Sequence, residues 1–281
     1  MIDQLTAHEP AIRFGVFLGL LIILALAEAL RPKRQRIVPR GKRWLTNLCL
    51  AGVSTVLVRA LGWFGALLAV PTIAVAAAAL ASQRGWGLLP WLGWPSWLQA
   101  LIGFIVLDFA IWASHLASHH VPLLWQVHQV HHSDRDCDVT TALRFHPVEI
   151  GLSMLYKVAC VLALGASPAT VIVFEMVLNG LAQFNHANLA LPLALDRALR
   201  LIIVTPDMHR VHHSVLAREH NRNFGFNLAL WDRLFGLYAA QPMAGHEAMT
   251  IGLPDYQMEA PTRLGWSLGL PFAARRSRHG A

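Results

Sequence analysis

The sequence predicts an all-α fold: an integral membrane helical bundle of about four transmembrane helices, with interfacial helices and a cytosolic histidine-rich helical cap. Three observations predict it. Hydrophobic residues make up 55% of the 281 residues and charged residues only 14%, where a soluble domain carries about 25% charged residues. Apolar runs of about 20 residues, the length that crosses a bilayer, recur along the chain. Eleven of the fifteen histidines fall between His115 and His213, many of them at helical spacing.

Residues 11–30 are apolar apart from Arg13 and Glu28 and form the first predicted span. The run follows Asp3 and Glu9 and lacks both a basic leader and a small-residue cleavage site, so no cleavable signal peptide is expected. Seven basic residues come next: Arg31, Lys33, Arg34, Arg36, Arg40, Lys42 and Arg43. Apolar runs on both sides make this a cytoplasmic loop under the positive-inside rule, not a nucleic-acid patch. No nucleic-acid partner is expected. Residues 45–80 contain Arg59 and are broken by Pro71; they predict one span plus an interfacial helix, or two spans. Residues 82–96, with Trp86, Trp91 and Trp94, resemble an interfacial aromatic belt.

Residues 97–114 predict the next span, with His115 at its end. Residues 148–164 and 169–184 predict a hairpin turning at 165–168, whose second arm leads to His186. From about Leu191 the chain is more polar and reads as cytosolic helices and loops. A single crossing within 45–80 places every histidine cluster on the cytoplasmic side, with the basic loop. The organisation predicted is an N-terminal transmembrane region (1–96), a histidine-bearing domain (97–240) and a C-terminal tail (241–281). Cys49, Cys137 and Cys160 have neither metal-ligand nor redox spacing.

Imidazole is a good ligand for iron, zinc and copper. His115 and His119 are four apart and share a helix face. His128, His131 and His132 repeat that geometry, as do His209, His212 and His213, and each triplet could serve one metal or two. Groups of this kind recurring within about a hundred residues point to ligation. His186 stands alone. His146 is open between a ligand, a group orienting a ligand beside Arg144 and Glu149, and a helix-start turn. His8, His220, His246 and His279 are expected at the surface or as caps, and His120 lies on another face from His119. Ligating imidazoles usually donate their second N–H to an acceptor. Asp108, Glu149, Asp207 and Asn188 are the leading candidates, with Asp134, Asp138, Asp232 and Asn185 behind them.

From Asp108 to Tyr238 the chain resembles the membrane fatty acid hydroxylase/sterol desaturase superfamily. The resemblance rests on Asp108 and Trp112 before His115-x-x-x-His119, on Trp125 before His128-x-x-His131-His132, and on Arg144-Phe145-His146-Pro147 with Glu149. It continues through Asn185-His186-Ala187-Asn188, Asp207 with His209-x-x-His212-His213, and Asn223-Phe224-Gly225 followed by Trp231-Asp232. Leu116 and Leu237 depart from the family pattern at positions often held by Arg and Thr. The resemblance implies a dinuclear site of two iron ions that activates O₂ against a lipid C–H bond. The ligands it implies are His115, His119, His128, His131, His132, His186, His209, His212 and His213, with His146 a further candidate.

Aliphatic C–H bonds resist acid, base and nucleophile, so the metals would supply the chemistry and the protein position and dryness. The function expected is O₂-dependent hydroxylation or desaturation of a membrane lipid such as a sterol, fatty acyl chain, carotenoid or ether lipid. Phe104, Trp112, Met154 and Phe174 are offered as its apolar contacts. No fused redox cofactor is recognised: there is no cytochrome b5-like segment, cysteine cluster or Gly-x-Gly-x-x-Gly fingerprint. A separate electron donor is therefore expected, a redox protein or a small reductant. A haem-binding electron carrier would place axial histidines within the spans, and a metal transporter would place ligands near the bilayer midplane. Clusters at one membrane face fit neither.

Overall fold

The computed structural model describes residues 9–68 and 73–273. Among them the chain is helical, with isolated bridges and no extended strand. The helices that matter for the site are α1 (Glu9–Leu30), α2 (Arg40–Leu67), α3 (Ala74–Arg84), α4 (Ser96–His120), α5 (Pro122–His132), α6 (Pro147–Leu164), α7 (Pro168–His186) and α8 (Pro206–His212). Residues 139–143 form a short 3-10 turn between α5 and α6.

Four of these, α1, α2, α4 and α6, are long and apolar enough to cross a membrane. Only 6% of the most apolar stretch of α1 and 17% of that of α2 is buried inside the protein. Both turn large side chains outward, among them Phe14, Ile23 and Leu26 on α1 and Val56, Trp63 and Leu67 on α2. In water such continuous apolar surface would drive association; in hydrocarbon it costs nothing. The protein is a membrane protein. Residues 45–80 resolve into one span, α2, followed by the short α3. Pro71 lies outside the described residues. α3 packs into the bundle against α6 and α7, with Ala74, Ala77, Ala78 and Ala81 buried.

The predicted hairpin of α6 and α7 exists, but its arms diverge, with α3 and α4 packed against both. The turn is held by Gly165, left-handed at φ 67°, and by Ser167, whose Oγ accepts from the Thr170 N–H at 3.2 Å. Gly87 lies against Gly165 so closely that a Cβ on it would meet the Gly165 nitrogen at 2.1 Å. The core joins Leu107, Ile111, Val161, Val171 and Phe174 to the alanine face of α3.

Proline sets the start of α5, α6, α7 and α8: Pro122, Pro147, Pro168 and Pro206 stand in their first turns. A first-turn proline loses no helical hydrogen bond. The chain can therefore bend sharply at Val121–Pro122 and fold α5 back on α4.

The basic segment is more than a topology signal. Arg43 donates from Nε and Nη2 to Asp134 at 2.6 and 2.8 Å and from Nη1 to Asp138 at 2.6 Å. Arg40 meets Glu28 at 3.1 Å, and Lys33 meets Asp207 at 3.0 Å. Arg34 donates to the carbonyls of His246 and, at 2.6 Å, Met249. These bonds clamp the histidine cap onto α1 and α2.

Candidate metal centre

α4 and α5 meet at their ends, so His115 and His119 face His128 and His132. α7 brings His186 to the same place, and α8 lies across with His209 and His212, His213 being its last capping residue. Two groups result. His115, His119, His128, His132 and His212 form one; His131, His186, His209 and His213 form the other. Within each group the ring nitrogens able to bind a metal lie within 4.8 Å of one another.

Each His-x-x-His-His triplet divides between the groups. Its four-apart pair (His128 and His132, or His209 and His213) enters one group, and the remaining ring enters the other. Each triplet thus spans the two groups instead of belonging to one. The groups adjoin, with ring centroids 4.7 Å apart for His132–His213 and 5.1 Å for His209–His212.

The nitrogens fit a metal. Nε2 of His132 lies 3.2 Å from that of His128, and Nε2 of His212 lies 3.1 Å from that of His115. In the second group the corresponding distances are 3.2 Å for His186–His131 and 3.1 Å for His209–His186. Two nitrogens bound at about 2.1 Å and roughly a right angle stand about 3 Å apart. Burial holds the His128 imidazole down to about 3. Burial, then the neighbouring imidazoles, pushes His131, His132, His209, His212 and His213 well below the usual histidine range. The rings are therefore neutral with free lone pairs, the form that ligates. Nδ1 of His131, His132 and His209 and both nitrogens of His213 are buried without a hydrogen-bond partner.

Outer bonds set the tautomer of three rings and orient a fourth. Nδ1–H of His115 donates to the Phe224 carbonyl at 2.7 Å, that of His212 to Arg222 at 2.8 Å and that of His186 to Ala182 at 2.6 Å. His128 Nδ1 meets Glu149 Oε1 at 2.6 Å. Each bond turns Nε2 inward.

Of the predicted supporting residues, Glu149 alone among Asp108, Glu149, Asp207 and Asn188 touches a ring of the two groups. Asp108 accepts from Trp231 Nε1 at 2.7 Å, while Asp232 accepts from Trp112 Nε1 at 3.0 Å. This reciprocal pair explains the Asp108/Trp112 and Trp231/Asp232 spacings. Asp232 also accepts from the Phe224 and Gly225 N–H groups at 2.8 and 2.9 Å, fixing the loop segment whose carbonyl holds His115. Asp207 binds Arg210 at 2.5 Å, and Asn188 Nδ2 donates to the Arg34 carbonyl at 2.9 Å, so both fasten the clamp. Asp134 and Asp138 take Arg43. Asn185 donates to the Phe226 carbonyl at 3.0 Å.

His146 lies outside both groups. Its Nδ1 accepts from the Val148 N–H at 3.2 Å, capping α6, and its Nε2 lies 3.2 Å from the Leu268 carbonyl. That is the helix-start role, and both nitrogens are engaged. Two histidines expected at the surface are buried instead. His220 packs 4.4 Å from His132 and 4.7 Å from His119, and burial brings it down to about 4. It sits in a separate helical turn, so no spacing in the sequence linked it to the cluster. His246 is buried beside Arg210, 3.4 Å away. His8 and His279 lie outside the described residues.

A cavity of about 630 Å³ opens between α4, α6 and α7 and reaches His115, His128 and Glu149. Of the suggested apolar contacts, Met154 lines it. Phe104 and Phe174 pack edge-on at 5.3 Å in the core, and Trp112 stacks on Phe235 at 4.7 Å.

Residues 100–237 match the family model described as fatty acid hydroxylase. Ornithine lipid hydroxylase OlsE of Rhizobium tropici is 31% identical over 153 residues, covering 53% of this chain and 44% of the relative. Alkylglycerol monooxygenase of Homo sapiens is 32% identical over 166 residues, covering 59% and 34%. Cholesterol 25-hydroxylase of Rattus norvegicus is 27% identical over 146 residues, covering 51% and 48%. The alignments thus span less than half the length of each of these relatives. No solved structure matches the chain.

Proposed function

We propose, from the fatty acid hydroxylase family domain at residues 100–237, that this chain is an O₂-dependent oxidoreductase that hydroxylates or desaturates an aliphatic C–H bond of a membrane lipid. The observation that carries this reading is a pair of adjoining all-imidazole groups, the first of which opens through His115 and His128 onto a largely apolar cavity between helices. All-imidazole sites suit iron, zinc and copper alike; oxidation excludes redox-inert zinc, and the resemblance to the fatty acid hydroxylase family favours iron over copper. The nine histidines would hold two iron ions, five rings on one and four on the other.

Bound iron would supply the reduction and activation of O₂ for attack on a C–H bond, which no side chain can supply. The protein's own residues do the rest. The bonds of His115, His186 and His212 to backbone carbonyls, and of His128 to Glu149, hold each ring in its ligating orientation. The walls of α4, α6 and α7 exclude water and align an alkyl chain with His115 and His128. The relatives' names cover ornithine lipid, alkylglycerol and cholesterol, which supports a lipid substrate. Electrons come from a separate donor, a redox protein or a small reductant. The Lys33–Asp207 bond joins the basic loop to the histidine cap, which supports a cytoplasmic metal site under the positive-inside rule. The catalytic unit is residues 97–240, anchored by 1–96.

Elemental analysis of detergent-purified protein from iron-replete cells tests this, with His128→Ala and His212→Ala beside wild type. The expected result is two metal ions per chain, mostly iron, with losses in both variants, and either oxygen from O₂ or a new double bond appearing in an added lipid extract. One metal or none, unchanged by the substitutions, would overturn the dinuclear reading.

A further inference from the structure

The cavity that reaches the histidines is lined elsewhere by charge. Lys157 Nζ on α6 lies 2.5 Å from Glu175 Oε1 on α7, and Arg13 Nη2 on α1 lies 2.6 Å from Glu175 Oε2. Arg13 Nη1 meets Glu9 Oε1 at 2.6 Å. The row Glu9–Arg13–Glu175–Lys157 alternates in sign and carries no net charge. Lys157 and Glu175 are 11% and 6% exposed at the side chain. None of the four lies in a histidine motif, and neither histidine group includes one. Charges within a membrane bundle are costly and mark functional sites by default. Lys157 lies eight residues beyond Glu149 on α6, and Glu175 eleven before His186 on α7. At about 1.5 Å per residue, the row stands about 12–16 Å from the histidines along the helices.

Desolvated charge at a cavity wall is a poor neighbour for the methyl end of an alkyl chain and a good one for a polar end. The balance of the row then discriminates among polar ends. An anion would face the Glu175 carboxylate and leave the row with a net charge. A hydroxyl adds no charge and can both accept from Lys157 and donate to Glu175. An ammonium has three donors, and among the described residues Glu175 is the sole hydrogen-bond partner of Lys157 Nζ. We propose that the Lys157–Glu175 pair, backed by Arg13, binds the hydroxyl end of a neutral lipid and presents a carbon about 12–16 Å along its chain to the histidines. The inference rests on the lipid-oxidation reading and deepens it by naming the substrate's head and its orientation.

Native mass spectrometry of the full chain in detergent tests it with hexadecanol, palmitate and hexadecane as probes. Wild type should retain hexadecanol about tenfold better than either of the others, the size of a hydrogen-bond contribution. Lys157→Met should remove that preference while leaving metal content and hexadecane retention unchanged. Equal retention of hexadecanol and hexadecane by wild type, or a preference that survives Lys157→Met, overturns the site. Stronger retention of palmitate overturns the neutral class. If Lys157→Met does not fold, Lys157→Met combined with Glu175→Gln removes the pair together and carries the same comparison. Oxidation of a lipid extract by wild type is scored separately. A hydroxyl preference without oxidation sinks the lipid-oxidation reading and leaves the head site. Oxidation without the preference does the reverse.

Discussion

Two polar clusters lie side by side in the cap, equally buried and opposite in completeness. Around Arg43 and Arg144, donors meet acceptors. Arg144 alone donates to the carbonyls of Val130 and Pro261 and to Asn47, Ser133 and Ser267, at 2.8 to 3.1 Å. Among the nine imidazoles, lone pairs face lone pairs at 3.1 to 3.2 Å and several Nδ1 atoms have no partner. Buried polar groups are ordinarily paired. The arginine cluster is a finished piece of structure, and the histidine cluster is a receptor whose stability depends on what it binds.

The largest effect should come from breaking the finished cluster. Arg43→Met leaves Asp134 and Asp138 buried without their cation and should cost about 3–5 kcal/mol. Thermal unfolding in detergent would show it even in metal-free protein. A variant as stable as wild type would mean that the clamp contributes nothing.

Acid separates the two clusters. The histidines' folded values lie below 6.5, with His128 at about 3, so below pH 6.5 the unfolded chain binds more protons than the folded one. Stability of the metal-free protein should therefore fall as pH drops through that window. Burial alone would raise the Asp134 carboxyl, but the Arg43 guanidinium overrides it and holds it down to about 2. That contribution is lost only as pH falls from about 3.8 toward 2. Because protons compete with metal for imidazole, metal-loaded protein should hold to lower pH, as followed by circular dichroism. Superimposable acid curves with and without metal would remove the distinction between the clusters.

A smaller effect sharpens the picture of the receptor. Glu149→Gln weakens the bond that orients His128 and should lower metal affinity about 10–100-fold in a chelator competition, with little change in the metal-free fold. The smallest effect is expected at His146, where Ala removes a cap worth about 1 kcal/mol. Metal content should be unchanged there, and loss of a metal would restore His146 as a ligand.

Much of this was legible along the chain because it depends on local spacing. The apolar runs place α1, α2, α4 and α6. Four-apart histidines share a helix face, and first-turn prolines mark where α5 to α8 begin. The legible part stops where a partner lies far away in sequence. His220 and His246 look like surface residues because the groups that bury them come from other segments. Arg43 reads as one more loop cation, since Asp134 and Asp138 lie about ninety residues on.

The sequence by itself determined a helical membrane protein with imidazole concentrated in its cap, since hydropathy and helical period are properties of short segments. Only the tertiary structure decided which ring joins which group, that His146 caps a helix, and that Arg13, Lys157 and Glu175 meet at one cavity. Those outcomes depend on the crossing of α4, α5, α7 and α8 and on the divergence of α6 from α7, and such crossings are set by packing between segments far apart in the chain.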